Sequence, residues 1–296
     1  MDSDALLTVV TIHRSGGFSA AADALGRSQP AISRRIALLE AELGGPVFER
    51  TAAGVRLSAL GEALLPHAER ALAAIEDARA AARDLHERHA GRLTLALVGT
   101  LAGLSLTRTL RRFAAAAPDA RLDLRTGRSA QVSDLVRSGA ATIGVRYFAD
   151  RSDDLDCHAM PPEKLVVVCP SAHPLAGRRI RRLAGLAAER WLVFPDRAET
   201  GEAAAGTLSA LFLTRGIADL QWSAIDSLTA QKRLVEAGAG LALLPRSAID
   251  EELRGKSLGV IAVADLDASN PVYAITRRGG YLSRAARLLL DILTGP

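Results

Sequence analysis

The chain has 296 residues, 49% of them hydrophobic and 24% charged, a composition that excludes disordered and fibrous classes and suits two or three folded domains. No apolar run approaches the ~20 residues of a membrane helix. Asp2 and Asp4 stand where an export signal would carry basic residues, so a cytoplasmic location without a membrane partner is expected. The net charge of +4 is split, with ten arginines against twelve acids (−2) in residues 1–90 and +6 beyond them, so bulk charge alone does not argue for nucleic acid.

Leu6, Leu7, Val9 and Val10 recur with helical period, and Gly16 with Gly17 ends that first helix. Ser19 is expected to cap a second, short helix of small residues (Ala20, Ala21, Ala22, Ala24) that another helix can cross closely, with Gly26 supplying the turn. A third helix opens at Ser28, Gln29 and Pro30, where proline's missing N–H costs nothing. Its Ile32, Ile36, Leu39 and Leu43 stand 4, 3 and 4 apart and form one buried stripe. At about 100° per residue this leaves Pro30, Ser33, Arg34 and Ala37 on or near the opposite side. That slim face, with one cationic fork, suits a major groove: Arg34 is placed to pair with guanine, and Gln29 to read adenine or hold a phosphate. Taken alone, the same face would serve as an ordinary solvated surface.

The segment after this helix tips the balance. Gly44 and Gly45 end the helix, and segments 46–50 and 55–57 read as two short strands joined by a turn, with Arg50 and Arg56 within reach of a phosphate backbone. Three helices and a basic hairpin make a winged helix-turn-helix. The run Phe18, Ser19, Ala20, Ala21, Ala22, then Ser28 to Ile36, Leu39, Glu40, Leu43, Gly44, Phe48, Glu49, Arg50, Leu57, Ser58 and Gly61 resembles the signature of LysR-type transcription regulators. The resemblance implies that positions matching Gln29, Pro30, Ser33 and Arg34 face the major groove. The expected DNA-binding set is Ser28, Gln29, Pro30, Ser33, Arg34, Arg35, Arg50 and Arg56. The hairpin tip departs from the family, with Ala53 where an arginine is common, which leaves Arg50 and Arg56 as backbone contacts.

From Ser58, read as an N-cap, a helix is expected to about residue 89, with Pro66 bending or dividing its first turns. Leu64, Ala68, Ala71, Ile75, Ala78, Ala82 and Leu85 repeat at 4, 3, 4, 3, 4 and 3, a heptad seam for pairing with a second copy; packing on its own chain is the competing reading. The resemblance implies an antiparallel pair of such helices, hence a homodimer, with a tetramer, a dyad-symmetric duplex and RNA polymerase as further partners.

Beyond residue 91 strands and helices alternate. Strands at 93–97, 121–124 and 141–145 enclose a helix opened by Gly99 and Thr100 and another capped by Ser129, a βαβαβ order that demands parallel neighbours. A second set has strands at 165–169, 191–194 and 241–244 and helices at 203–214 and 228–237. A strand at 272–276 and a helix at 283–293 return to the first lobe. The fold class is therefore α/β overall, with a winged helix-turn-helix at 1–58, a linker helix at 59–90 and a two-lobed effector domain at 91–296. Lobe I takes about 91–163 and 267–296, and lobe II about 164–266. The runs from Leu234 to Pro245 and from Ser171 to Leu175 also resemble the family's effector domain, which is periplasmic-binding-protein-like.

A cleft between two such lobes is the usual place for a small ligand. Thr100, Ser129 and Ser227 each stand at a strand-to-helix turn, where simple N-capping competes with ligand contact. Arg146, at a strand end, would suit an anionic effector, with Arg128, Phe194 and Arg197 on the same wall. No hydrolase, phosphate-loop or metal-ligand spacing occurs, so neither enzyme activity nor a cofactor or metal is expected. Two other readings stay open: a thiol switch using Cys157 and Cys169, and a two-lobed solute-binding module without regulation.

Overall fold

A computed structural model describes residues 1–51, 54–86, 92–194, 204–217 and 219–295. Helix α1 (Ser3–Ser15) starts at Asp2, whose carboxylate accepts from Ala5 N–H at 2.7 Å, and ends at Gly16 in the left-handed region. Helix α2 (Phe18–Leu25) starts earlier than Ser19 as its cap would require. Gly17 is its cap and Ser19 lies inside, because Ala21 N–H already bonds the Gly17 carbonyl at 3.0 Å. Helix α3 (Gln29–Leu43) buries Ile32, Ile36 and Leu39 against Ala5, Val9, Ile12, Ala21, Ala22 and Val47. The hairpin pairs β1 (Phe48–Thr51) with β2 (Gly54–Leu57), Arg50 lying opposite Val55.

Helix α4 (Ala59–His86) runs unbroken through Pro66, so the expected division does not occur. Ser58 caps it, its Oγ accepting from Gly61 N–H at 3.1 Å. A side chain at Gly61 would put its Cβ 2.2 Å from the Val47 carbonyl oxygen, so only glycine lets the wing sit against the start of α4. The heptad stripe is not one free surface. Leu64, Ala68 and Ala71 pack with Leu6 and Val10 of α1, while Ile75, Ala78 and Ala82 are partly or fully exposed. The stripe is divided because α1 brings its own apolar side to the first half of α4. The Leu85 side chain lies outside the described ones.

Lobe I contains β3 (Arg92–Val98), α5 (Leu104–Ala116), β4 (Arg121–Gly127), α6 (Ser129–Arg137) and β5 (Ile143–Tyr147), with β3 parallel to both β4 and β5. Strand β6 (Leu155–Pro170) then runs out of lobe I into lobe II. Lobe II adds β7 (Arg179–Ile180), β8 (Trp191–Val193), α7 (Ala204–Leu213), β9 (Trp222–Ala224), α8 (Leu228–Glu236), β10 (Leu241–Pro245), α9 (Asp250–Arg254) and β11 (Leu258–Val263). Strand β12 (Ser269–Arg277) pairs antiparallel with both β5 and β6, and α10 (Arg284–Thr294) joins the core of lobe I. The return of the chain to lobe I is as expected; β7, β9, α9, β11 and the first half of β6 go beyond what the sequence periods predict.

Register fixes how the lobes face each other. Met160 of β6 lies level with Val272 and hence with Tyr147, the end of β5. Leu165, five residues on, pairs with Pro245, the end of β10. The parallel strands β3, β4 and β5 therefore end toward lobe II, and β8, β9 and β10 end toward lobe I. The two sets of strand C-termini oppose each other across residues 160–164, which is where a cleft belongs in α/β lobes.

Candidate DNA-reading face and effector cleft

The outer side of α3 carries Gln29, Pro30, Arg34 and Ala37 in solvent. Ser28, exposed, is the N-cap, though its side chain makes no capping bond. Gln29 Nε2 donates to Ser33 Oγ at 3.1 Å, folding the amide along the helix and leaving Ser33 half-buried. Arg34 projects outward and has no ion pair among the described residues.

Arg35 differs from expectation. Its Nη1 meets Asp4 Oδ2 of α1 at 2.8 Å, and the Arg35 hydrogen bond and charge hold the Asp4 carboxyl below its ordinary range. The reason is helical phase: one step from Arg34 turns the chain by about 100°, toward α1 rather than solvent. Arg56 is exposed on the wing, but Glu49, its cross-strand neighbour, binds it at 3.0 Å. The backbone of Arg50 is in β1, and Ala53 at the tip lies outside the described residues.

Two residues escaped sequence reasoning. Arg27, exposed in the turn before α3, adds a cation at the helix entrance; its signal was its position one residue before the cap. Glu40 ties wing to helix, its Oε1 accepting from Val47 N–H at 2.7 Å and Phe48 N–H at 3.3 Å. Glu40 thus anchors the start of the wing to α3.

At the cleft edge of lobe I, Thr100 sits in a single 3-10 turn (Gly99–Leu101), and Gly103, not Thr100, caps α5. Thr100 Oγ1 donates to Tyr147 Oη at 3.0 Å. Burial pushes the Tyr147 phenol well above its ordinary value, only partly offset by that bond, so it stays neutral. Ser129 is buried as the first residue of α6; the cap is Arg128, whose N–H donates to Gln131 Oε1 at 2.9 Å. The Arg128 side chain is exposed and without an ion pair among the described residues.

Arg146 is not a free cation. It is 8% exposed, and its Nη1 donates to Ser133 Oγ at 2.7 Å and to Asp150. Arg137 holds the other Asp150 oxygen at 2.9 Å and Asp154 at 3.2 Å. Burial opposes ionisation of Asp150, but hydrogen bonds from Ser133 and Ser152 and the charge of Arg137 outweigh it and hold the carboxyl well below its usual range. The side chain turns toward α6 because strand residues alternate, and Gly144 and Arg146 share that face. Just beyond, Phe148 adopts left-handed backbone (φ 57°), held by its N–H bond to the Pro271 carbonyl at 2.9 Å. Nothing in the sequence signalled that bend.

On the opposing edge, Phe194 follows β8 and is half-buried, and Ser227 caps α8, its Oγ accepting from Ala230 N–H at 3.3 Å. Arg197 lies outside the described residues. Cys157 and Cys169 both belong to β6, twelve positions apart. At roughly 3.3 Å per residue that is about 40 Å, against the roughly 7 Å that a disulfide tolerates. Burial also pushes the Cys169 thiol up to about 11, away from reactive thiolate. This geometry argues against an intramolecular thiol switch. Among the described residues no helix is long and apolar enough to cross a membrane.

The family model described as "Bacterial regulatory helix-turn-helix protein, lysR family" matches residues 3–62, and that of the LysR substrate binding domain matches 86–295. The SDS degradation transcriptional activation protein of a Pseudomonas species is 31% identical over 96% of this chain and 92% of its own length. Full-length OxyR from Pseudomonas aeruginosa superposes with a TM-score of 0.79 at 22% identity, over 99% of this chain and 94% of that one. Full-length CbnR complexed with its target DNA gives 0.69 at 24% identity, over 99% of each chain.

Proposed function

The chain belongs to the LysR family, regulators that bind DNA through a helix-turn-helix and respond to an effector, and from that premise we propose how its own residues divide the work. Residues 1–58 bind duplex DNA, 59–90 link and pair two copies, and 91–296 sense the effector. Helix α3 enters the major groove with Arg34 at the base edges and Gln29, Pro30 and Ser33 beside it. Arg27, Arg50 and the Ser28 backbone hold phosphates. Arg35 supports the helix through Asp4 rather than touching DNA.

Ile75, Ala78 and Ala82 form the part of α4 left for a second copy, setting two reading helices on one face of a dyad-symmetric site, with tetramers by further pairing. At a promoter this places the protein beside RNA polymerase, as a cytoplasmic regulator and not an enzyme. In the cleft an anionic effector meets Arg128, with Ser129, Thr100 and Ser227 on the two edges and Phe194 as an apolar wall. Arg146 keeps the β5 end rigid beneath it. Ligand that touches both edges draws the lobes together and shifts the DNA-bound geometry.

The observation that carries the reading is Arg34, an exposed cation without an ion pair among the described residues, on a helix whose opposite stripe is buried. Duplexes selected by the wild-type protein from a randomised pool provide the test. Arg34→Ala should lose about 10- to 100-fold of the preference for selected over random duplex, measured by fluorescence anisotropy. Its sedimentation should match wild type. Undiminished discrimination overturns the assignment.

A further inference from the structure

A cavity of about 500 Å3 lies where the second half of α4 meets lobe I. Arg92, which opens β3, and Thr142, just before β5, both line it, so it sits at the strand N-termini, the end of lobe I away from the effector cleft. The α4 wall is Glu76, Asp77, Ala80 and Arg83, spaced along one helical face. At about 100° per residue that face points away from Ile75, Ala78 and Ala82, so two copies pairing through that stripe would leave the cavity open. The opposite wall is Gly139, Arg277 and residues 280–283.

Both carboxylates of the α4 wall are already engaged. Asp77 takes Arg277 Nη2 and the Tyr281 N–H, and Glu76 takes Arg79 at 2.6 Å. Arg92 is held by Asp123, also at 2.6 Å. The other two cations keep donors in reserve. Arg83 stands 3.9 Å from Glu76, beyond hydrogen-bond range, with its side chain 60% exposed at the rim. Arg277 Nη1 is buried beside Gly139 and has no hydrogen-bond partner among the described residues. A buried charged donor without an acceptor is costly, and an anion in the cavity would supply the acceptor. Helix α10 adds its positive end: Ser283 caps it, Oγ accepting from Ala286 N–H at 3.1 Å, and its first turn carries no acid. The volume falls within the roughly 300–1,000 Å3 usual for small-molecule sites.

We propose that this junction cavity binds a small dianion, a phosphate head or a short dicarboxylate, gripped by Arg277 Nη1 from lobe I and by Arg83 from α4. An occupant bridges the linker helix and the sensor lobe. It therefore stiffens the joint through which lobe movements reach the DNA reader, at a distance from the effector cleft.

Inorganic phosphate and malonate are the probes, with acetate (a single charge) as control, titrated calorimetrically into the full-length protein at constant ionic strength. Saturable binding of at least one dianion is expected, about tenfold or more tighter than acetate, and the tighter of the two identifies the head group. At ten times the dissociation constant, amide exchange in the second half of α4 and at Arg277–Tyr281 should slow about tenfold. Arg83→Gln, at the exposed rim, should weaken binding at least about tenfold. Ala80→Phe, which fills the cavity from α4 without changing charge, should do the same; if it melts early, Arg83→Gln alone decides. Arg34→Ala and Arg128→Ala should bind as the wild type does, which separates this site from the reading helix and from the cleft. No saturable binding, acetate binding as tightly, or binding that survives the cavity changes overturns the proposal. So does loss of binding in Arg34→Ala or Arg128→Ala, or dissociation of the oligomer by Arg83→Gln, which would assign that cation to a contact between copies.

Discussion

Arg34, Arg35 and Arg146 have the same guanidinium and three different fates, decided by what stands within 3 Å. Arg34 faces solvent and has no ion pair among the described residues, which is why it is the one proposed to meet DNA. Arg35 is taken by Asp4 at 2.8 Å. Arg146 shares Asp150 with Arg137, in a network whose two central side chains, Arg146 and Asp150, are only 10% and 11% exposed. Losing the carboxylate strands Arg146 and leaves Arg137 with Asp134 and Asp154, so Asp150→Asn is expected to cost up to about 3 kcal/mol in urea unfolding. The pH dependence has a definite sign. Asp150 and Asp154 both have folded pKa values below their ordinary range, so each binds protons more readily in the unfolded chain. Their stabilisation is complete above the ordinary carboxylate value of about 3.9 and is lost as pH falls through the lower folded values. Wild type should therefore lose stability below about pH 4 more steeply than Asp150→Asn. Parallel urea midpoints across that range would contradict the linkage.

Among elements, α4 shows how one helix serves two bodies. Its first half completes the core beneath α1, with Arg14 bound to Glu69 at 2.8 Å at the edge. Its second half is strapped to lobe I. Asp77 receives Arg277 Nη2 on both oxygens at 2.8 and 2.7 Å, and the Tyr281 N–H at 3.1 Å. Beside the strap, Gly139 is required: its φ is +72°, and a Cβ there would lie 2.9 Å from that of Ala73. Asp77→Ala removes three bonds to a partly buried carboxylate and should weaken the attachment locally by about 2 kcal/mol. Amide exchange of Arg277–Tyr281 and of the second half of α4 should then speed by about 30-fold, with α1 to α3 unaffected. Unchanged exchange would mean that packing around Ala73 alone holds the helix.

The whole molecule joins a DNA reader to a two-lobed sensor, with the long strand β6 as the rail between the lobes. This rail keeps Cys157 and Cys169 apart, so Cys157→Ser with Cys169→Ser should leave DNA affinity unchanged before and after peroxide treatment. A peroxide response that this double change abolishes would restore the thiol switch. The helix-turn-helix, the wing and the returning α10 were legible in the chain because each announces itself by a local period or a capping residue. Ile32, Ile36 and Leu39 fell inward as their spacing required. The dense match from Phe18 to Gly61 carried the family. Three-dimensional packing alone decided which of the exposed-looking arginines are free and which half of the α4 stripe α1 leaves uncovered. It also decided that the cleft lies where the ends of β5 and β10 oppose each other. The physical reason is that hydrophobic period tells a residue which way to point, whereas ion pairs and strand registers depend on what arrives from elsewhere in the chain: Asp4 for Arg35, Arg277 for Asp77, and Leu6 for Ala68.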